Sequence, residues 1–343
     1  MNIGILGYNA FTGLGACIHW FKKHLNINSH FVIVSQEHHR GNIVNGYLSE
    51  KYTEQDLYNY IEIYKPDVII IFETPFNWNY FEILKKLNIK TVFIPMMDAI
   101  ILDNFLFYIL NADIIICPTY NCYVEYNKKF SNYNKKIKYI PYPIDTDYFK
   151  IDTKGPATFL HNQGNGGAHW RKGSDQVYNA FANFKYKEAT LHINRQTTLH
   201  KLYHLPNNLH NMTIHVEDFE EPIDTYKQGK IYLAPSRFEG LGLPILEAMS
   251  CGLPVITTNA LPMSAWFDST YPLLVSCTPI EKIPSGDGLI YNPDINMLIN
   301  KMEWVYNNLD KGEKIGMKNR EIILNKFSWH LLKQEYIKEL ENV

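Results

Sequence analysis

Short apolar runs alternate with stretches of helical periodicity from the first residues of the chain. Residues 2–6 (NIGIL), 31–34 (FVIV), 67–72 (DVIIIF), 91–95 (TVFIP) and 113–118 (DIIICP) are largely continuous apolar runs rich in β-branched residues. Such runs are expected of strands covered on both faces. Between them, residues 56–65 (DLYNYIEIYK) set Leu57, Tyr60, Ile61 and Tyr64 on one helical face. Residues 80–87 do the same with Phe81, Leu84 and Leu87. Alternation of this kind predicts parallel βαβ units in a doubly wound α/β sheet.

The pattern then restarts. After the proline- and turn-rich run IPYPIDTDYFKIDTKGP come 157–161 (ATFLH), 189–193 (ATLHI), 212–216 (MTIHV), 231–234 (IYLA) and 254–258 (PVITT). A boundary near residue 150 is therefore expected between two α/β domains, residues 1–150 and 151–326, and the chain from residue 295 onward reads as helix. Two facing doubly wound domains would leave a cleft at the carboxyl ends of their strands, where ligands bind in such sheets.

Composition narrows the classes. At 343 residues two domains are the natural expectation, and 46% hydrophobic with 20% charged residues describes an ordinary globular chain. With 33 Lys and Arg against 35 Asp and Glu, the formal charge of −2 supplies no net field toward nucleic acid or an acidic membrane, so no nucleic-acid partner is expected. The N-terminal run MNIGILGYNAFTG lacks the features of a signal peptide. The longest apolar region, 99–117, is broken by Asp103, Asn104, Asn111 and Asp113, so no membrane span is expected. The five scattered cysteines, Cys17, Cys117, Cys122, Cys251 and Cys277, read as reduced, buried thiols of a cytoplasmic protein.

The chemistry concentrates in PSRFEGLGLPILEAMSCGLPVI, residues 235–256, where an apolar run carries only Arg237, Glu239 and Glu247 as charges. Gly240 and Gly242 permit close approach of the backbone to a ligand, and Pro244 suits the first turn of a helix ending at Gly252. A glycine turn feeding a helix N-terminus favours a phosphate. Carboxylates beside a phosphate site make sense as acceptors for hydroxyls, a sugar on one side and a ribose on the other. The alternative is that Glu239 is a surface loop residue and Glu247 a helix-terminal charge.

The run E-G-x-G-x-P-x-x-E-A-x-x-x-G-x-P-V, Glu239 to Val255, resembles the E-x7-E signature of retaining GT-B glycosyltransferases, in particular family 4. Three other segments agree in order. IKYIPYPIDTDYF (137–149) is similar to the family's interdomain linker, and RKGSDQVYNAF (171–181) to its K-G helix start. FSW (327–329) resembles the start of its last helix, so that 327–343 would pack back on the N-terminal domain.

The resemblance implies a GT-B fold with an N-terminal acceptor domain and a C-terminal domain for the nucleotide sugar. It implies transfer of a sugar, with retention, from a UDP- or GDP-linked donor to a carbohydrate, lipid-linked or small-molecule acceptor, with no metal and no further cofactor. Glu247 would accept from ribose hydroxyls and Glu239 from the sugar. The backbone of Gly240, Leu241, Gly242 and Leu243 would lie near sugar and diphosphate. Lys172 and Arg171 would neutralise the leaving diphosphate. Gly13 and Gly15 match the family's N-terminal glycine loop, with a simple tight turn as the alternative. Asp98 is a candidate for the donor sugar or acceptor, or else a helix cap.

The sequence departs from the family pattern in three places. Met97 stands where a histidine is frequent, Gly167 where an arginine is, and ALPMSAW (260–266) lacks a usual glutamate. Met97 and Ala265, where polar residues are usual, keep open a non-catalytic nucleotide-sugar-binding or scaffold protein, and the same fold also allows a sugar-nucleotide epimerase. Asp145-Thr146-Asp147 imitates a metal-binding D-x-D but lies in the expected linker and reads as a turn. His38, His39 and Arg40 read as a solvated loop or an acceptor-facing one.

Overall fold

The structure, a computed structural model, describes the chain except for residues 11, 34–44, 74–75, 97–104, 165–167, 197–209, 217–218 and 284–287. The described chain separates into two compact units, Met1–Pro143 with Trp329–Val343 and Ile144–Ile283 with Gly288–Ser328. The crossing at Pro143/Ile144 falls inside the proline-rich run.

The first unit holds a seven-stranded parallel sheet in the order β3-β2-β1-β4-β5-β6-β7. Its strands are β1 (Ile3–Tyr8), β2 (Ser29–Ile33), β3 (Gly46–Ser49), β4 (Val68–Phe72), β5 (Lys90–Ile94), β6 (Ile114–Cys117) and β7 (Ile137–Tyr139). Helices α1 (Gly13–Leu25), α2 (Glu54–Tyr64), α3 (Asn79–Lys86), α4 (Phe105–Asn111) and α5 (Tyr120–Lys129) connect them. Every residue of β2, β4 and β6 is buried, as the unbroken apolar runs of β4 and β6 require, and β2 buries Ser29 and His30 as well. Local chemistry fixes the ends. Thr53 and Asp56 form a reciprocal capping box on α2, and Thr12 Oγ1 accepts from the Gly15 N–H at the start of α1.

The second unit holds a six-stranded parallel sheet in the order β10-β9-β8-β11-β12-β13. These are β8 (Ala157–Gly164), β9 (Leu191–Arg195), β10 (Met212–Val216), β11 (Gly229–Ala234), β12 (Val255–Thr258) and β13 (Leu274–Val275). Helices α6 (Ala168–Arg171), α7 (Ser174–Ala182) and α8 (Leu243–Ser250) lie along it, followed by an antiparallel hairpin of β14 (Cys277–Lys282) and β15 (Leu289–Pro293). The chain ends in α9 (Ile295–Asn307), α10 (Leu309–Lys326) and α11 (Trp329–Glu341).

Helix α11 belongs to the first unit. Its Trp329 and Tyr336 rings meet Phe21 of α1 edge-on at 4.9 and 5.0 Å, and the Tyr336 hydroxyl donates to the Ile140 carbonyl at 3.2 Å. Four of the five cysteines are buried. Cys277, on the polar strand β14, is half-exposed, against the expectation of uniformly buried thiols.

Candidate functional site

In the second unit the sheet order reverses between β8 and β11, so the crevice beyond their carboxyl ends is where a doubly wound sheet takes its ligand. A small pocket lies there, lined among others by His161, Asn162, Lys172, Tyr232, Ser236 and Glu239. Two segments meet at it: the turn from α6 into α7, carrying Arg171 and Lys172, and the loop from β11 into α8, carrying Glu239.

Glu239 is buried, with only 5% of its surface exposed, and its carboxylate is surrounded by donors. Lys172 Nζ donates to Oε1 at 2.7 Å and to Oε2 at 2.8 Å, and the Ser236 hydroxyl donates to Oε1 at 2.7 Å. Arg171 Nη2 stands 4.0 Å from Oε2, its guanidinium 5.5 Å over the Phe238 ring. Burial pushes the carboxyl upward in pKa. The charges of Lys172 and Arg171, with hydrogen bonds from Lys172 and Ser236, outweigh it and hold Glu239 below the usual carboxylate value. The structure thus brings together three residues that the sequence singles out, Glu239, Arg171 and Lys172.

The turn that carries the cations is fixed from behind. Arg237, 4% exposed, donates through Nη1 and Nη2 to Asp175 Oδ1 and Oδ2, both at 2.7 Å, and through Nη1 to the Trp170 carbonyl at 2.6 Å. Its guanidinium lies 4.8 Å over the Trp170 ring, and its N–H donates to the Arg171 carbonyl at 2.7 Å. Gly173 takes φ +70°, and a Cβ there would stand 2.0 Å from the Pro235 carbonyl oxygen, so the K-G pair requires its glycine.

His161, fully buried on β8, links the same pieces. The Leu233 carbonyl lies 2.8 Å from Nδ1 and can only accept, so Nδ1 carries the proton and Nε2 accepts from the Ser174 hydroxyl at 2.7 Å. Burial pulls its pKa from 6.5 to about 4; the bond to the Leu233 carbonyl opposes this and the nearby Lys172 adds to it.

Helix α8 begins at Gly242, in the left-handed region at φ +74°, with no side chain capping it and Pro244 in its first turn. Pro244 has no N–H and those of Ile245 and Leu246 turn to the Gly242 carbonyl, so it is the N–H groups of the glycine turn and Leu243 that a phosphate would meet. The indole N–H of Trp266 donates to the Leu241 carbonyl at 3.1 Å and steadies the glycine turn. Glu247, eight positions beyond Glu239, is half-exposed and accepts from the hydroxyl of Tyr226. Buried Tyr232 feels both glutamates: burial first, then the charges of Glu239 and Glu247, raise its pKa well above the ordinary value.

Candidates in the first unit fare differently. The N–H of Gly15 is taken by Thr12, and a Cβ on Gly15 would stand 2.0 Å from the Ala10 carbonyl oxygen, which gives this glycine a packing role. Gly13 opens α1, with nothing within 4 Å of where its Cβ would be. Asp98 and Met97, and His38, His39 and Arg40, lie outside the described residues, as does Gly167. Asp145 Oδ1 accepts from the Tyr148 N–H at 2.9 Å, forming a turn. His161, Asn162, Tyr232, the Asp175–Arg237 pair and Tyr226 are site components that motif reading passes over. Their only signal was polarity inside apolar runs: His161 at the end of ATFLH, and Arg237 after IYLAPS.

Residues 166–321 match the family described as glycosyl transferases group 1. Curated relatives match short stretches. The O-antigen chain mannosyltransferase B of Escherichia coli is 56% identical over 34 residues, 10% of this chain and 9% of that protein. The O-antigen biosynthesis glycosyltransferase WclY of Escherichia coli is 31% identical over 100 residues, 24% of this chain and 28% of that protein. The matched stretches thus span less than a third of either relative's own length. Among solved structures, Anabaena HepE in complex with UDP-glucose superposes with a TM-score of 0.71 at 13% identity, covering 100% of both chains. The fold is of the GT-B type, and the stretch similar to glycosyl transferases group 1 lies within the second unit.

Proposed function

We propose that this chain is a retaining glycosyltransferase that moves a sugar from a nucleoside-diphosphate donor, UDP- or GDP-linked, to a carbohydrate, lipid-linked or small-molecule acceptor. The observation that carries the reading is the Lys172–Glu239 pair, set at the switch point of the second sheet beside the loop that feeds an uncapped helix N-terminus. The donor diphosphate lies against the N–H groups of the glycine turn and Leu243 at the start of α8, a helix end that favours an anion by about 0.3–1 kcal/mol per charge. Arg171 and Lys172 neutralise it as it departs, each charge-assisted contact contributing roughly 1.5–3 kcal/mol. That contribution grows as negative charge develops on the leaving group, which is what accelerates the reaction.

Lys172 donates to both Glu239 oxygens, and rotation of its three-donor ammonium lets it share those donors between the carboxylate and a phosphate oxygen when the donor binds. Glu239 then orients the sugar through its hydroxyls, and Glu247 takes the ribose hydroxyls. The acceptor is assigned to the first unit, and attack occurs from the face of the leaving group. HepE's complex with UDP-glucose and the O-antigen names of the matched relatives support the nucleotide-sugar donor class and a glycan product.

The test is release of nucleoside diphosphate from a panel of UDP- and GDP-sugars, with and without sugar acceptors. Turnover by the wild type that is lost in both Glu239→Ala and Lys172→Ala supports the reading. Full turnover in both variants rejects the site, and no turnover by the wild type with any donor favours a binding or scaffold protein.

A further inference from the structure

Tyr226 lies outside every motif, in the 3₁₀ turn Pro222–Gln228 that precedes β11. Only 2% of its surface is exposed, yet its hydroxyl ends on the carboxylate of Glu247, 21 positions further along the chain. The ring has little room to swing. It meets Phe149 edge-on at 6.0 Å and Tyr232 at 5.8 Å. The turn is itself held in place, since the Tyr148 hydroxyl donates to Glu221 Oε2 at 2.6 Å and lies 3.5 Å from the Ile223 N–H. A rigid, buried phenol therefore meets a half-exposed carboxylate on the helix whose N-terminus opens the candidate site.

We propose that Tyr226 is a positioning residue for nucleotide recognition, its hydroxyl setting the orientation in which the Glu247 carboxylate meets the 2′- and 3′-hydroxyls of the donor ribose. The inference rests on the reading above, in which Glu247 takes the ribose.

Three physical points support it. A carboxylate offers about four lone-pair sites, and the bond from Tyr226 occupies one of them, so holding the phenol is compatible with accepting from ribose hydroxyls. A glutamate side chain left to itself samples several rotamers, and ordering it on binding weakens affinity; a fixed phenol removes that cost beforehand. Burial, and then the negative charge of Glu247, raise the pKa of Tyr226 well above the ordinary tyrosine value, so it remains a donor throughout the working pH range. Phenylalanine at this position keeps the ring packing and deletes only the oxygen.

The experiment is calorimetric titration of the full chain with UDP and GDP, each compared with its 2′,3′-dideoxy counterpart. Wild type, Tyr226→Phe and Glu247→Ala are compared. The wild type should prefer the ribonucleotide. Tyr226→Phe should lose about three- to tenfold in affinity for it and nothing for the dideoxy form, as expected for one hydrogen bond. Glu247→Ala should lose the preference entirely. A ribose preference unchanged in Tyr226→Phe but lost in Glu247→Ala overturns the positioning role and leaves the ribose reading intact. A preference retained in Glu247→Ala, or no preference or no binding in the wild type, overturns the ribose reading and this inference with it. Thermal midpoints of the variants separate a packing defect, which would weaken both ligand forms equally and also count against the proposal.

Discussion

The Lys172 ammonium stands 2.7 Å from one oxygen of the Glu239 carboxylate and 2.8 Å from the other, joining two segments 67 positions apart. Both groups are largely withdrawn from water, with 13% and 6% of their side chains exposed, so the pair differs in kind from a surface salt bridge. Its energetics follow from that burial. The folded-state pKa of Glu239 lies below its ordinary 4.5. The pair therefore stabilises the fold above about pH 4.5, and that stability is lost as pH falls through the lower folded value.

Lys172→Ala reverses the sign. Without its nearest counter-charge, burial dominates and raises the Glu239 pKa, so ionising the carboxylate then opposes folding. The variant should be destabilised by about 3–5 kcal/mol near pH 7 and by less near pH 4, where the carboxyl can protonate. Urea unfolding at the two pH values measures this. The double variant Lys172→Ala with Glu239→Gln should recover part of the loss at pH 7. A strictly additive double variant would mean that the two side chains do not interact.

Asp175→Ala tests the strut behind the cations. The Arg237 guanidinium would lose both of its carboxylate bonds while still 4% exposed. We expect a loss of about 3–5 kcal/mol, with weaker diphosphate binding because Arg237 also anchors the backbone of Arg171. Asp175→Glu, which keeps the charge, should recover much of the stability. Thermal unfolding in parallel with nucleotide titration checks both effects.

His161 makes acidification costly. Its pKa is 6.5 when unfolded and about 4 when folded, so between those values the unfolded chain binds more protons and stability rises with pH. Acidifying from pH 7 to pH 4 should therefore remove up to about 3 kcal/mol through this one residue. His161→Gln should flatten the stability profile over that window at some cost in absolute stability. Buried His30 of the first unit, lowered to about 3, leaves a residual slope in the same direction. An identical pH slope in wild type and variant would contradict the assignment.

Legibility in the sequence followed contact range. The buried central strands announced themselves as largely apolar runs, and 212–216 is a strand over the whole of its expected range. The short edge strands β3, β7 and β13 and the β14–β15 hairpin did not. Edge strands such as GYLS are only half apolar, and CTPIEK carries a proline and two charges, because neither is covered on both faces. The E-x7-E run and the K-G pair were legible because close neighbours in sequence build them. Tyr226, His161 and the Asp175–Arg237 strut were not, because parallel crossovers bring them together from 21 to 72 positions apart. Gly15 reads the same whether a glycine serves a ligand or a tight turn. The Ala10 carbonyl, which a Cβ would strike, shows a packing requirement that the sequence alone does not reveal.

The most direct measurement of the central claim is the affinity of the full chain for UDP and GDP, wild type against Lys172→Ala, at fixed pH and ionic strength. The account predicts that the wild type binds at least one of the two. Lys172→Ala should weaken that binding by about 1.5–3 kcal/mol, roughly ten- to a hundredfold, as expected for loss of one charge-assisted phosphate contact. An unchanged dissociation constant in a folded Lys172→Ala variant, or no binding of either nucleotide by the wild type, would contradict it.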